Sequence, residues 1–327
     1  MALIPLQKAM FTLRTRFRPA LLLPLLLTAC GRAAVTTAPV PVAASGTENP
    51  ALRVVASATG KTIPFAQLAD AAARADVVFF GEMHDDDETH RAELALLDAI
   101  GQRRARVIVS LEMFERDVQP LLDAYLAGRM TEADFVAQSR PWPNYVADYR
   151  PIVELAKAKG WPVIAANAPR RLASIVSRRG LPAVDSLPSA DRALIASDVQ
   201  CPKDQYYDNF VAVMAGGHGG AGGAPGATVP GARSMTDLFY ESQCVKDETM
   251  AEAIVRGRTS GAIVVHFNGA FHSDFSLGTV SRVTRRAPSV KTVVISAIPS
   301  ANPGKEKVAE HLAKGQFIII ALREKLP

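Results

Sequence analysis

The chain has 327 residues, enough for one large domain or two small ones, and carries 37 Lys and Arg against 32 Asp and Glu. Four of those bases, Lys8, Arg14, Arg16 and Arg18, lie within residues 1–29, which contain no acids, so the remainder balances at 33 (37 − 4) against 32. The pI of about 9.2 is therefore largely a property of the first residues, and a nucleic-acid-binding role loses its main support.

Behind the basic start, Ala20 to Leu27 is an apolar run broken only by Pro24, too short to span a bilayer as a helix. Residues 1–29 read as a secretory signal. Leu27-Thr-Ala-Cys30 resembles the lipobox of bacterial lipoproteins, in which the cysteine becomes the acylated N-terminus. Gly31, rather than Asp, after Cys30 is compatible with sorting to the outer membrane. The expected location is a lipid-anchored position on a bacterial membrane, facing the periplasm or the cell surface. Residues 30–50, rich in Ala, Thr, Val and Pro, read as a flexible tether to a domain over 51–327.

Leu52–Ala58 and Thr62–Phe65, around Gly60-Lys61, predict a hairpin beside the main sheet, and Phe65–Ala75 a helix. Val77–Phe80 is a uniformly apolar run, the pattern of a strand buried on both faces of a parallel sheet. Gly81 breaks it, Glu82 and His84 follow, and Ala92, Leu94, Leu96, Leu97 and Ile100 have the spacing of an amphipathic helix. Asp85, Asp86, Asp87 and Glu88 read as helix capping, with Asp85 and Glu88 at capping-box spacing. Glu82 and His84 precede the cap and are not explained by it. His90, six residues beyond His84, does not share a helical face with it, so joint action requires His84 to come from the loop.

Val107–Phe114 predicts a second buried strand carrying Glu112. Helices are expected at Val118–Leu126, Thr131–Gln138 and Ile152–Lys159, then a strand at Trp161–Asn167 leading through Pro169-Arg170-Arg171 into another helix. Ala262–His272, Thr292–Ile298 and Phe317–Leu322 complete the strands. Strands alternating with helices predict an α/β fold, a mainly parallel sheet flanked by helices with a helical cap region.

Glu82 and His84, Glu112, Asn167, and His266 to His272 all fall at or just beyond predicted strand C-termini, which in a parallel sheet converge on one edge. Any one of them alone could be a helix cap or a core histidine. Two carboxylates and two histidines suit either a divalent metal or an acid–base site, although the spacing is no recognised zinc signature.

Gly81-Glu-Met-His84 with His90, Ser110-Leu-Glu-Met-Phe114, Tyr149-Arg-Pro151, Ala166-Asn-Ala-Pro-Arg170 and Asn268-Gly-Ala-Phe-His272 resemble ChaN-like haem-binding lipoproteins, over roughly residues 60–325. That group is related to Tiki-type metalloproteases and erythromycin-esterase-like hydrolases. The resemblance implies haem bound between helices, a tyrosine as iron ligand and two subunits sandwiching the haem. It also implies a place in iron acquisition beside outer-membrane uptake machinery. The candidate ligands are Tyr149 and Tyr145, four residues apart, with Trp142 as an apolar wall and Arg150 beside Tyr149; a hard tyrosinate oxygen suits ferric iron. The competing reading is that both tyrosines pack the cap against the sheet.

The glycine-rich stretch from Gly216 to Ala227 reads as a flexible insertion (about 215–233), and His218 as a solvated loop residue. With Cys30 committed to lipid, Cys201 and Cys244 flank that insertion and are expected to pair, because two thiols remain in an oxidising compartment. The preferred function is haem binding. The alternative is a metal-dependent hydrolase using Glu82, His84, Glu112 and His272, with His90, Asn167, Arg170, His266 and Asn268 in support. A third is a module for another flat apolar ligand.

Overall fold

Eight strands form one sheet in the order β2-β1-β8-β7-β3-β6-β4-β5. They are β1 (Leu52–Ala56), β2 (Lys61–Ile63), β3 (Val77–Glu82), β4 (Val107–Glu115), β5 (Val163–Asn167), β6 (Ile263–Gly269), β7 (Thr292–Ser300) and β8 (Phe317–Leu322). The computed structural model describes residues 51–216 and 233–323. The signal, the tether, Cys30 and His218 lie outside them.

β3 to β8 run parallel, while β1 is antiparallel to both β8 and β2. The predicted hairpin is thus an antiparallel edge on an otherwise parallel sheet, turning at Gly60 with φ +64°. β3 is buried along its whole length because both of its faces are covered. On one face Val78, Phe80, Val109, Leu111, Val265 and Phe267 pack under α1 (Phe65–Ala72), α2 (Asp87–Arg103), α3 (Gln119–Leu126) and α5 (Arg150–Lys159). The other face carries Val77, Phe79, Ile108 and Val264. These meet Ala251 and Ile254, then Val280 and Val283, on two helices that the sequence reading had not delimited. Burying each such side chain is worth roughly 1.5–3 kcal/mol.

The β4–β5 crossover is the predicted helical cap: α3, α4 (Glu132–Ser139), a π-helical turn (Tyr145–Tyr149) and α5. Beyond β5 follow α6 (Arg170–Arg179), α7 (Ser189–Arg192), α8 (Gln205–Ala215) and α9 (Met235–Gly257), and after β6 comes α10 (Gly278–Arg286). α9 escaped delimitation because it is buried nearly all round and buries Asp247, Glu248 and Glu252 among its apolar residues, so no clean apolar stripe marks it.

Three expectations are corrected. The N-cap of α2 is Asp86, whose carboxylate accepts from the Glu88 and Thr89 N–H groups at 3.1 and 3.3 Å; Asp85 instead pairs with Arg323 at 2.8 Å. β6 stops at Gly269, and Ala270–His272 is a 3-10 turn. His266 therefore lies in the middle of β6, opposite Phe79 and Ser110, and not at the strand end.

Cys201 and Cys244 are joined, with Cα atoms 5.4 Å apart. The bond closes a loop of 43 residues. In the chain-entropy picture such a closure contributes about 4 kcal/mol.

Candidate functional site

Side-chain alternation sends Glu82 to the face of Val78 and Phe80, under the cap, and Glu112 to the face of Ile108, under α9. The carboxyl edge of the sheet therefore carries two clusters, one on each face.

In the first, Glu82 is buried and its Oε1 accepts from His84 Nδ1 at 2.6 Å and from the Tyr149 hydroxyl at 2.7 Å. His90, on α2, places Nδ1 2.9 Å from Glu93 Oε2 and 3.5 Å from Glu82 Oε2. Its Nε2 lies 3.3 Å from the His84 carbonyl and 3.7 Å from Asp148. Asn144 donates to that same carbonyl and to Asp148. Burial works to raise the Glu82 pKa, but the bond from His84, the contact with Glu93 and the imidazole charges hold it below the usual carboxylate range. Burial, and then the charge of Glu82, push Glu93 well above that range.

In the second, Glu112 Oε2 accepts from the Gly269 N–H at 2.8 Å, and Oε1 lies 3.4 Å from His272 Nε2. His272 Nδ1–H donates to Asp247 at 2.9 Å. Asp247 also accepts from the hydroxyls of Tyr206 and Thr279, at 2.7 and 2.8 Å. Burial opposes charge on His272, but Glu112 and Asp247 raise its pKa. Asp247 was not found from sequence, because an acid in a helix reads as a surface charge until the helix is known to be buried.

His84 bridges the two faces. Its side chain is 44% exposed, and its ring lies against Gly269, where an added Cβ would stand 2.7 Å from Nε2. Gly81 is required in the same way: a Cβ there would meet the Ala270 Cα at 2.9 Å and Ser273 Oγ at 2.7 Å. Each Gly-x-x-His segment thus begins with glycine because the other segment packs on it. Burial works to lower the His84 pKa, but the bond to Glu82 and the charge of Glu112 raise it.

The remaining candidates divide. His266 is a core histidine: Ser110 Oγ lies 2.9 Å from Nδ1, Phe79 packs edge-on, and burial first, then His272, push its pKa down to about 3. Asn268 donates to the Gly269 carbonyl and to Ser273, and so holds the second turn. Asn167 ends β5, buried. Arg170 is exposed and lines a shallow groove with Phe210, Met214, Phe239 and Lys246.

The tyrosines do not present oxygen to solvent. Tyr145 packs against Phe114 and Phe135, and its hydroxyl finds no hydrogen-bond partner. Tyr149 is fully buried; desolvation, then the charge of Glu82, drive its pKa far above the ordinary phenol range. Arg150 is engaged by Glu132, within the cap. Trp142, partly exposed, stands edge-on to His84 at 4.7 Å and to Tyr149 at 5.9 Å, and Val146, four residues on in the chain, is 61% exposed. Trp142 and His84 thus form a ledge, an indole edge beside a partly exposed imidazole. That suits a flat aromatic ligand with a metal centre.

A mainly parallel α/β sheet whose carboxyl edge gathers carboxylates and imidazoles beneath a helical crossover defines a ligand-binding scaffold of the open α/β class. The chain belongs to the family described as haem-binding uptake, Tiki superfamily, ChaN, whose model matches residues 68–283. Among solved structures it is similar to ChaN of Campylobacter jejuni, described as binding heme cofacially. The TM-score there is 0.61 at 17% identity, covering 85% of this chain and 99% of that one. Weaker likenesses are to the type III effector HopBA1 (TM-score 0.41, 11% identity, 78% and 91% covered) and to the toxin effector domain RRSP of Vibrio vulnificus (0.39, 15%, 76% and 37%). No curated protein matches.

Proposed function

We propose that this chain is a lipid-anchored haem-binding protein of iron acquisition, taking ferric haem on the ledge of Trp142 and His84. Membership of a haem-binding uptake family supports the ligand class, and the ledge is the observation that carries the location. The tyrosine expected as iron ligand is Tyr149, which would have to trade its bond to Glu82 for the metal. His84 offers an imidazole already oriented by a carboxylate on Nδ1, the arrangement that fixes a histidine for ligation through its other nitrogen. Hemin titration of the wild type, Tyr149→Phe and His84→Ala separates the two. A Soret band displaced only in Tyr149→Phe establishes tyrosinate, and one displaced only in His84→Ala establishes imidazole. Absence of any saturable Soret change in the wild type ends the proposal.

Two further parts rest on the same reading. Cys30 would carry the lipid, tested by labelled palmitate appearing in the wild type and not in Cys30→Ser. A second copy would close over the haem, as the family resemblance implies, so hemin should double the mass in sedimentation. Uptake machinery of the outer membrane would be the onward partner.

A second reading, metal-dependent hydrolysis, is favoured by the convergence of His84, Glu112 and His272 on Gly269. It predicts ester or amide turnover that His272→Ala abolishes and a chelator suppresses.

A further inference from the structure

We infer that Glu82, His90 and Glu93 form a binding site for one divalent first-row transition cation, distinct from the Glu112–His272 side of the edge. One ligand atom from each residue lies within 4.8 Å of the others, and all three residues are buried. The cluster sits beneath Tyr149 and Asp148.

Three observations point to a cation. The first is lone pairs with no partner. Glu82 Oε2 and Glu93 Oε1 are fully buried and have no hydrogen-bond partner, a costly state for carboxylate oxygens. The second is orientation. His90 Nε2 lies 3.3 Å from the His84 carbonyl, which can only accept, so that nitrogen carries a proton. Nδ1 faces Glu93 Oε2 at 2.9 Å and Glu82 Oε2 at 3.5 Å, so one imidazole nitrogen and two carboxyl groups converge on one point. The third is charge. The other buried acids of this fold are met by cations or by several donors. Glu248 faces Arg282, Arg285 and Arg286, and Glu252 faces Arg116 and Arg256. No Lys or Arg pairs with Glu82, Glu93 or Asp148 among the described residues.

The spacing also suits metal. Ligands at ~2.1 Å in a tetrahedral shell stand ~3.4 Å from one another; Nδ1 is 2.9 and 3.5 Å from the two carboxylates. One imidazole and two carboxylates select the manganese-to-zinc series over Mg2+ or Ca2+. The His84 carbonyl and the Tyr149 hydroxyl would hold the ligands from outside the shell. Asp148, at the rim 3.7 Å from His90, is the acid a cation would meet on entering.

The test uses the full mature chain, stripped with chelator and dialysed against Zn2+ or, separately, Mn2+. One ion per chain is expected, with affinity at least tenfold lower in Glu93→Gln and His90→Gln and retained in His272→Ala. Bound Mn2+ should show coupling to one imidazole nitrogen, lost in His90→Gln. If His90→Gln fails to fold, the isosteric Glu93→Gln carries the comparison, with circular dichroism as its control. Failure of the wild type to hold stoichiometric Zn2+ or Mn2+, or an ion retained in Glu93→Gln and lost in His272→Ala, overturns the site. A carboxylic acid C=O stretch in the metal-free wild type that persists with either ion present would assign the space to a proton instead.

Discussion

Each face of the sheet buries a histidine between acids at the same edge, and the two clusters differ in how their charge is met. Under α9, Asp247 accepts from His272, Tyr206 and Thr279, and Glu112 from a backbone N–H. Its polar groups are occupied within the protein. Under the cap, Glu82 and Glu93 each keep an unpartnered oxygen around His90. A closed network rigidifies; an open one leaves buried carboxyl oxygens to be met by a proton or a cation. Residue identity alone does not separate structural from ligand-binding carboxylates. The count of satisfied lone pairs does.

The largest test of that difference is a pair of substitutions. Asp247→Ala leaves three buried donors without an acceptor and should destabilise the fold by about 3–5 kcal/mol, read from denaturant midpoints. Glu93→Gln removes a carboxyl with an unpartnered oxygen and should change stability by less than about 1 kcal/mol in metal-free protein. Equal losses in the two would erase the distinction between closed and open clusters.

A second test uses pH on the closed side. His266 has its folded pKa lowered to about 3 by burial, from an ordinary 6.5. The unfolded chain therefore takes up this proton first. Stability is fully present above about pH 6.5 and is lost as pH falls toward 3, by on the order of 4 kcal/mol for this group alone. His266→Phe should flatten that part of the stability–pH curve relative to wild type. An unchanged difference between pH 7 and pH 4 would mean that His266 is not neutral in the fold.

A third test falls between the clusters. Gly269→Ala forces a methyl against the His84 ring and should cost about 1–3 kcal/mol. Displacing His84 from Glu82 should also bring its raised pKa back down, seen as an NMR titration midpoint at lower pH than in the wild type. Retention of the wild-type midpoint would show that the ring tolerates the methyl and that Gly269 has another role.

The sequence by itself determined the parallel core, the polar edge and the cysteine pair. Val77–Phe80 and Val107–Val109 are apolar without alternation, which only a doubly covered strand requires, and Glu82, His84, Glu112 and His272 mark the carboxyl edge of the sheet. Cys201 and Cys244 were legible from their number and their place beside the insertion. Tertiary structure alone decided which of these groups share a face, that His266 stays inside β6, and that the Tyr149 hydroxyl turns inward to Glu82. It also supplied Glu93 and Asp247, acids on helices that close over opposite faces of the sheet. The physical reason is that local pattern encodes only a residue's periodicity along its own element. Which carboxylate lies within 3 Å of which imidazole depends on strand order and on the helices that cover each face, and those are set by packing between segments far apart in the chain.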